Sequence, residues 1–478
     1  MLMQRSIGLK LSNLVTVIFV TSVICLVMAC GLAVITGECD LFLFIQVMGY
    51  FFLVAASVLF FWMTFNIKND GAFLWQVFLA ALIFRVVAVV ALYYLLIELQ
   101  GNPYLEGYKD EFVYHTISLY FAKDQQAPLS DVQFFGLSEN YGLYPYLVGF
   151  AYKLFGAHTL VARFLNAIIG AVCVIPFFAF IRNLGMKQET AKLAACFYVF
   201  SANIVLFNSV QLKDSLLLLL CFFLAYLGSV LMRTSSGLKV LLITILYFAV
   251  NFLFLFMRAQ FFFLFTLFFF IFMFKRFLHG TSVNSHKILV LCVMALVVGM
   301  VVFLAFSRIS SNVDRLSENN IEQQFSRYEK WQVSRVLGPV VPVITSTIGF
   351  FLPLPTLLKL ANPDPGIVYS IDIFKIPTYF EIFFTSIIAL SVIAAFRKAR
   401  HPGMDIVFIM SVIFYALLIA TGFVAYPRHK LFLIELFMII MAYGIIETEI
   451  RWSRIFSFCM AGTVCVFLYN LIRLWVRE

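Results

Sequence analysis

The residues able to do chemistry are few, and they stand in short clusters between apolar runs. The most informative cluster is Tyr108-Lys109-Asp110-Glu111-Phe112-Val113-Tyr114-His115, where two adjacent carboxylates follow a long apolar stretch. A carboxylate pair at a bilayer edge is costly unless it is used or neutralised. In the functional reading, one of the two is a general base that takes the proton from an acceptor hydroxyl, with its basicity raised where water is limited. In the alternative reading, the pair is the solvated start of a loop. His115 either orients Asp110 or is an ordinary interfacial residue.

Basic residues recur at similar places. In the turn Gln211-Leu212-Lys213-Asp214-Ser215, Lys213 can face a phosphate, or Lys213 and Asp214 can pair as a helix-end cap beside Ser215. Arg258-Ala259-Gln260 separates two strongly apolar runs. A guanidinium there suits phosphate, because its planar donors engage two oxygens and it stays charged in a low dielectric; a snorkelling arginine at a headgroup is the other reading. Arg163 carries the same two readings. Tyr426-Pro427-Arg428-His429-Lys430 sets three basic groups in a row at the start of an apolar run, where they can clamp a phosphate or bind lipid headgroups nonspecifically. There is no Asp-x-Asp, no glycine-rich phosphate loop and no His-x-x-x-His. A metal-dependent nucleotide-sugar enzyme therefore has no visible apparatus, and neither a metal nor a cofactor is expected.

Long apolar helices must position these residues. The chain has 478 residues, 63% apolar and only 12% charged, against about 45–50% and about 25% in soluble domains. That excludes a water-soluble enzyme, a disordered chain and a fibrous one. Apolar runs long enough for a bilayer core, about 20 residues, occur near 12–36, 42–66, 73–99, 158–181, 191–208, 215–232, 238–256, 260–274, 288–306, 376–396, 404–424, 431–449 and 455–472. The expectation is an all-α polytopic membrane protein with about thirteen spans, forming a single membrane domain over 1–478. The net charge of +10 reads as cytoplasmic-loop lysine and arginine, not as a nucleic-acid surface, because the clusters at 182–192, 233–239, 275–287 and 397–400 fall on one side if the N-terminus is inside. Residues 12–36 are too long for a signal h-region and read as a retained helix. Eight of the nine cysteines lie in apolar runs, so no disulfide framework is expected. The proline-broken stretch 338–360 reads as re-entrant or interfacial.

Two outer loops are long enough to hold a site, 100–157 and 307–375. The first contains two amphipathic stretches, from Glu111 to Lys123 and from Pro145 to Phe155, too short to span and suited to lying on the membrane surface. The second mixes Arg308, Asp314, Arg315, Arg327, Glu329, Lys330, Trp331 and Arg335 and is the expected acceptor-recognition surface, the alternative for any one of these residues being a charged solvated face.

Asp110-Glu111-x-x-Tyr114-x-x-Ile117, then Asn140-Tyr141-Gly142-Leu143-Tyr144-Pro145-Tyr146-Leu147, Phe155-Gly156 and Arg163-Phe164-Leu165-Asn166, together resemble the N-terminal pattern of family 39-like glycosyltransferases of the GT-C superfamily. That group includes protein O-mannosyltransferases and lipid A aminoarabinose transferases. The match covers residues 108–170 and extends loosely to about 275. The chain departs from the pattern at Leu143-Tyr144-Pro145-Tyr146, which lacks a basic residue and the second proline, and in having two extra spans before the loop. The resemblance implies a GT-C-like fold and transfer of a sugar from a polyprenyl-phosphate carrier on the periplasmic face of a bacterial inner membrane. It carries the catalytic acid onto Asp110, with Glu111 as neighbour. Taken with the residue readings above, Tyr114, His115, Asp214 and His429 are the expected supporting residues, and Arg163, Lys213, Arg258, Arg428 and Lys430 the expected donor-phosphate groups.

The expected partners are that donor, a lipid or glycan acceptor and membrane lipids, with no nucleic acid. The rivals are a polymerase or ligase of lipid-linked oligosaccharides, and a lipid-linked-oligosaccharide flippase or transporter. A transporter should show intramembrane charge, broken helices and repeat symmetry.

Overall fold

The computed structural model describes residues 2–36, 41–105, 109–123, 143–278, 370–395, 401–420, 427–448 and 450–475. The expected span 288–306, the stretch 338–360 and nearly all of the loop 307–375 lie outside these residues, as do Tyr426 and Arg397. Every regular element among the described residues is helical. Among the described residues, seven helices are long and apolar enough to cross a membrane, or eight if the bent pair over residues 188–208 is one span.

The chain opens with three long helices, α1 (Leu2–Thr36), α2 (Leu41–Thr64) and α3 (Asp70–Gln100). The last is bounded by sequence: the Asn69 carboxamide accepts from the Gly71 and Ala72 amides, and Gly101 closes it with φ +73°. Two short helices follow, α4 (Lys109–Ala122) and α5 (Leu143–Phe155), over the two stretches expected to be short helices. They pack together through Gly149, where a Cβ would fall 2.5 Å from the Phe121 ring and 3.0 Å from the Ser118 carbonyl.

Next come α6 (Thr159–Val172) and α7 (Val174–Asn183), which form one 25-residue span. Pro176 interrupts it at Cys173, having no amide to offer the Val172 carbonyl. The segment α8 (Gln188–Phe200) and α9 (Ala202–Asn208) is bent by 52° at Ser201. After it run α10 (Asp214–Arg233), α11 (Gly237–Phe252) with a 3-10 turn over Leu253–Phe256, and α12 (Ala259–Leu278). The C-terminal part is α13 (Ser370–Ala395), α14 (Pro402–Ala420), a 3-10 turn over Pro427–Lys430, α15 (Leu431–Glu447) and α16 (Trp452–Trp475).

Burial separates central from peripheral helices. The apolar window of α15 is 100% buried, packed against α8, α13 and α14, whereas that of α11 is 17% buried and presents Leu238, Leu241, Leu242 and Ile245 outward. In water such a face would be a liability. In lipid it is the solvent-facing surface.

Charged contacts gather at the two ends of the bundle. Arg258 precedes α12 and Lys275 lies near its far end, 17 residues on and therefore about 25 Å away along the axis. Lys275 pairs with Asp405 at 3.7 Å, Arg182 with Asp70 at 3.3 Å, and Lys10 donates to the Thr448 carbonyl at 2.7 Å. These contacts mark one end, and the candidate site is built at the other.

Candidate functional site

Four separate stretches meet at the Arg258 end. From α4, Asp110 accepts from Arg428 of the 3-10 turn before α15, Nη1 to Oδ2 at 2.8 Å. From the first turn of α10, Asp214 pairs with Arg258 at 3.5 Å. Between them Lys213 is buried and donates to the Met257 carbonyl at 2.9 Å. The charges of Arg258, Asp214, Asp110 and Arg428 all act on it, and those of Arg258, Arg428 and Lys213 act on buried His429. Burial first, and Arg258 next, bring the Lys213 ammonium down to a pKa of about 7, with Asp214 and Asp110 acting the other way. Lys430 is buried at the head of α15.

The Asp110–Arg428 pair is the accessible part of this cluster, its side chains 31% and 19% exposed, whereas Asp214 and Arg258 are 4% and 16% exposed. Lys213, Arg258 and Arg428 thus stand against two carboxylates. The arrangement suits an anion entering from the Asp110 side, because each guanidinium can exchange a carboxylate for phosphate oxygens.

Glu111 and Arg163 have a different place from the one expected. Successive helical side chains point about 100° apart, so with Asp110 facing the cluster its neighbour faces the bundle. Glu111 is fully buried and accepts from Arg163 Nη2 at 2.8 Å, from the Gln211 amide at 2.8 Å and from the Leu105 amide at 2.9 Å. Arg163 is equally buried and also donates to the Pro103 carbonyl. One ion pair therefore ties α4, α6, the chain after α3 and the turn before α10, and it engages both groups away from the cluster. Asn166 works beside it: its carboxamide donates to the Val210 and Leu212 carbonyls at 2.5 and 2.8 Å and accepts from the Tyr144 hydroxyl at 3.1 Å. Tyr114 is buried with its ring edge-on to Tyr144, centroids 5.2 Å apart.

His115 falls on the Glu111 side of α4. It hydrogen-bonds the Tyr152 hydroxyl at 2.7 Å, and that hydroxyl donates to Gln211 Oε1 at 3.4 Å. Burial, then His158, lower its pKa below the usual histidine value, with Glu111 opposing. It orients Tyr152, not Asp110.

Sequence reasoning passed over three buried charges. Arg85 lies midway along α3, Glu381 in α13 and Glu435 in α15, each no more than 3% exposed. The signal was present, since each is a charge in the interior of an apolar run, where a charge is retained only for a reason.

The chain matches no protein-family model, no curated protein and no solved structure.

Proposed function

We propose that this protein is a membrane glycosyltransferase that moves a sugar from a polyprenyl-phosphate carrier to a lipid or glycan acceptor. In this reading about thirteen spans form a GT-C-like fold in a bacterial inner membrane, and the Asp110 end faces the periplasm. One observation carries it: Asp110, Lys213, Asp214, Arg258, Arg428 and His429, drawn from positions up to 319 residues apart, converge at one end of an apolar bundle. A base beside several phosphate-competent cations is the equipment this transfer needs.

The chemistry follows from those groups. The donor phosphate takes over Arg428 and Arg258, which releases Asp110 from its ion pair. Asp110 then accepts the proton of the acceptor hydroxyl as that oxygen attacks the anomeric carbon. The bond from that carbon to the phosphate oxygen breaks, and its electron pair leaves with the polyprenyl phosphate, held by the same cations. A single displacement of this kind inverts the anomeric centre. Glu111 and Arg163 enter as the strut that sets the level of Asp110 and of the Lys213 turn.

Purified protein supplied with a polyprenyl-phosphate sugar tests the reading. Transfer should occur and be lost in Asp110→Asn; turnover with nucleotide sugar in the absence of any polyprenyl carrier would overturn it. A polymerase or ligase of lipid-linked oligosaccharides would use the same site with a larger donor. A flippase or transporter draws support from the bend at Ser201 and the buried charges beside it, since broken helices with intramembrane charge mark many transporters. Reconstituted vesicles separate the two classes: a transporter moves labelled carrier across the bilayer without forming a glycosidic bond.

A further inference from the structure

The bend at Ser201 poses an energetic problem inside an apolar bundle. A continuous helix pairs its own backbone groups, whereas a break strands carbonyls at the end of one half and amides at the start of the next, where no water replaces the lost partners. Two buried charges from other helices meet them. Arg85 of α3 donates to the Tyr198 and Val199 carbonyls at 3.4 and 3.5 Å, at the C-terminal end of α8. Glu381 of α13 accepts from the Ala202 amide at 3.1 Å, the Asn203 amide at 2.7 Å and the Asn203 carboxamide at 2.6 Å, at the N-terminal end of α9. Within the chain, Ser201 Oγ accepts from the Ile204 amide at 3.2 Å.

The signs are those the helix dipoles require, a cation at a carboxyl end and an anion at an amino end. Arg85 also lies against the Tyr198 ring, 5.1 Å from its guanidinium carbon. Beyond the bend, α9 leads directly into the turn that carries Gln211, Lys213 and Asp214. Swinging seven residues of helix through 52° moves their far end by about 8 Å, more than the length of any contact in the cluster.

We propose that Arg85 and Glu381 are positioning residues for the outer cluster: by capping the two halves of the broken helix from within the bundle, they hold the bend that delivers Lys213 and Asp214 to Arg258 and Asp110. Only the catalytic consequence rests on the proposed transferase reading; the placement of the turn does not. The charges are thereby assigned to backbone, not to a transported ion or solute.

Hydrogen–deuterium exchange of the full chain in lipid nanodiscs tests this, with Glu381→Gln, Arg85→Met and the milder Asn203→Ala, which removes one donor to Glu381 without leaving a charge unpaired. Hydrogen bonds to charged groups are strong enough that the amides of 201–214 should exchange roughly tenfold faster or more in the first two variants, while α11, α12 and α15 keep wild-type protection. Arg85→Lys should restore part of the protection. Competitive amine labelling of Lys213 supplies a second readout that loss of stability alone does not move: its pH midpoint, near 7 in the wild type, should rise as Lys213 leaves its buried place beside Arg258. Unchanged exchange over 201–214 with an unchanged Lys213 midpoint overturns the proposal, and so does exchange that rises equally in every helix. If Glu381→Gln and Arg85→Met do not fold, Asn203→Ala decides by the same two measurements. Absence of sugar transfer by the wild type, with local exchange behaving as described, removes the transferase reading and leaves the positioning role standing.

Discussion

Asp110→Asn and Glu111→Gln are the same chemical change at adjacent positions, and the structure calls for opposite outcomes. Glu111 is fully buried, accepts three hydrogen bonds and faces an equally buried Arg163. Neutralising it leaves a guanidinium uncompensated and turns an amide NH2 toward a donor, and breaking a buried pair in this way costs about 3–5 kcal/mol. That is roughly a hundredfold to several thousandfold in the folding equilibrium. Asp110 and Arg428 are 31% and 19% exposed and joined by one 2.8 Å contact, so loss of their pairing costs about 0–1 kcal/mol. Thermal unfolding of detergent-solubilised protein, followed by size-exclusion fluorescence, should show Glu111→Gln melting well below wild type and Asp110→Asn within experimental scatter of it. Transfer activity should invert the order: loss of a positioned base lowers turnover about 10²–10⁴-fold, whereas Glu111→Gln retains the activity of whatever fraction stays folded. The double variant Glu111→Gln/Arg163→Met should recover part of the lost stability, because the stranded charge has gone. An Asp110→Asn protein that melts lower than Glu111→Gln, or a folded Asp110→Asn protein with normal turnover, refutes the division of labour.

Other outcomes can be checked in parallel. Lys213 is protonated below about pH 7 and neutral above it, so donor affinity should fall as pH rises through 7, and Lys213→Ala should flatten that dependence in KM measurements. Because its folded pKa lies below the usual 10.5, the unfolded chain binds more protons between about 7 and 10.5. This group alone therefore makes stability rise with pH across that window, which pH-dependent melting of wild type against Lys213→Ala would register. Arg258→Ala and Arg428→Ala should each weaken donor use roughly tenfold or more, since hydrogen bonds to a charged partner are worth about 1.5–3 kcal/mol. Lysine at either position should rescue only partly, for want of the planar fork, as donor titrations would report. In a background without native cysteines, Cys at 110 and Cys at 275 should react with impermeant reagents from opposite faces of sealed vesicles; labelling of both from one side would undo the assignment of the two ends.

Much of this protein is legible in its sequence, and the reason is the solvent. Where no water satisfies backbone groups, apolar runs of bilayer length become helices whatever they later pack against. The long helices, the two short helices α4 and α5, and the placement of Arg258 and Lys275 at opposite ends of one span all follow from composition and charge spacing. The prominence of Asp110, Lys213, Asp214, Arg258 and Arg428 also follows, because charges among apolar runs are conspicuous. Partnership is not legible. Asp110 meets Arg428 across 318 residues, and no local pattern says that Glu111, one position on, turns inward to Arg163, since that depends on which face of α4 the rest of the bundle covers. The bend at Ser201 was hidden for the same reason: residues 191–208 read as one apolar run, and a break there is tolerable only because Arg85 and Glu381, distant in sequence, arrive to cap its ends. Hydrophobicity acts on each segment independently and so can be read from a line of residues. Pairing of buried charges is a property of neighbours, and only the folded chain supplies those.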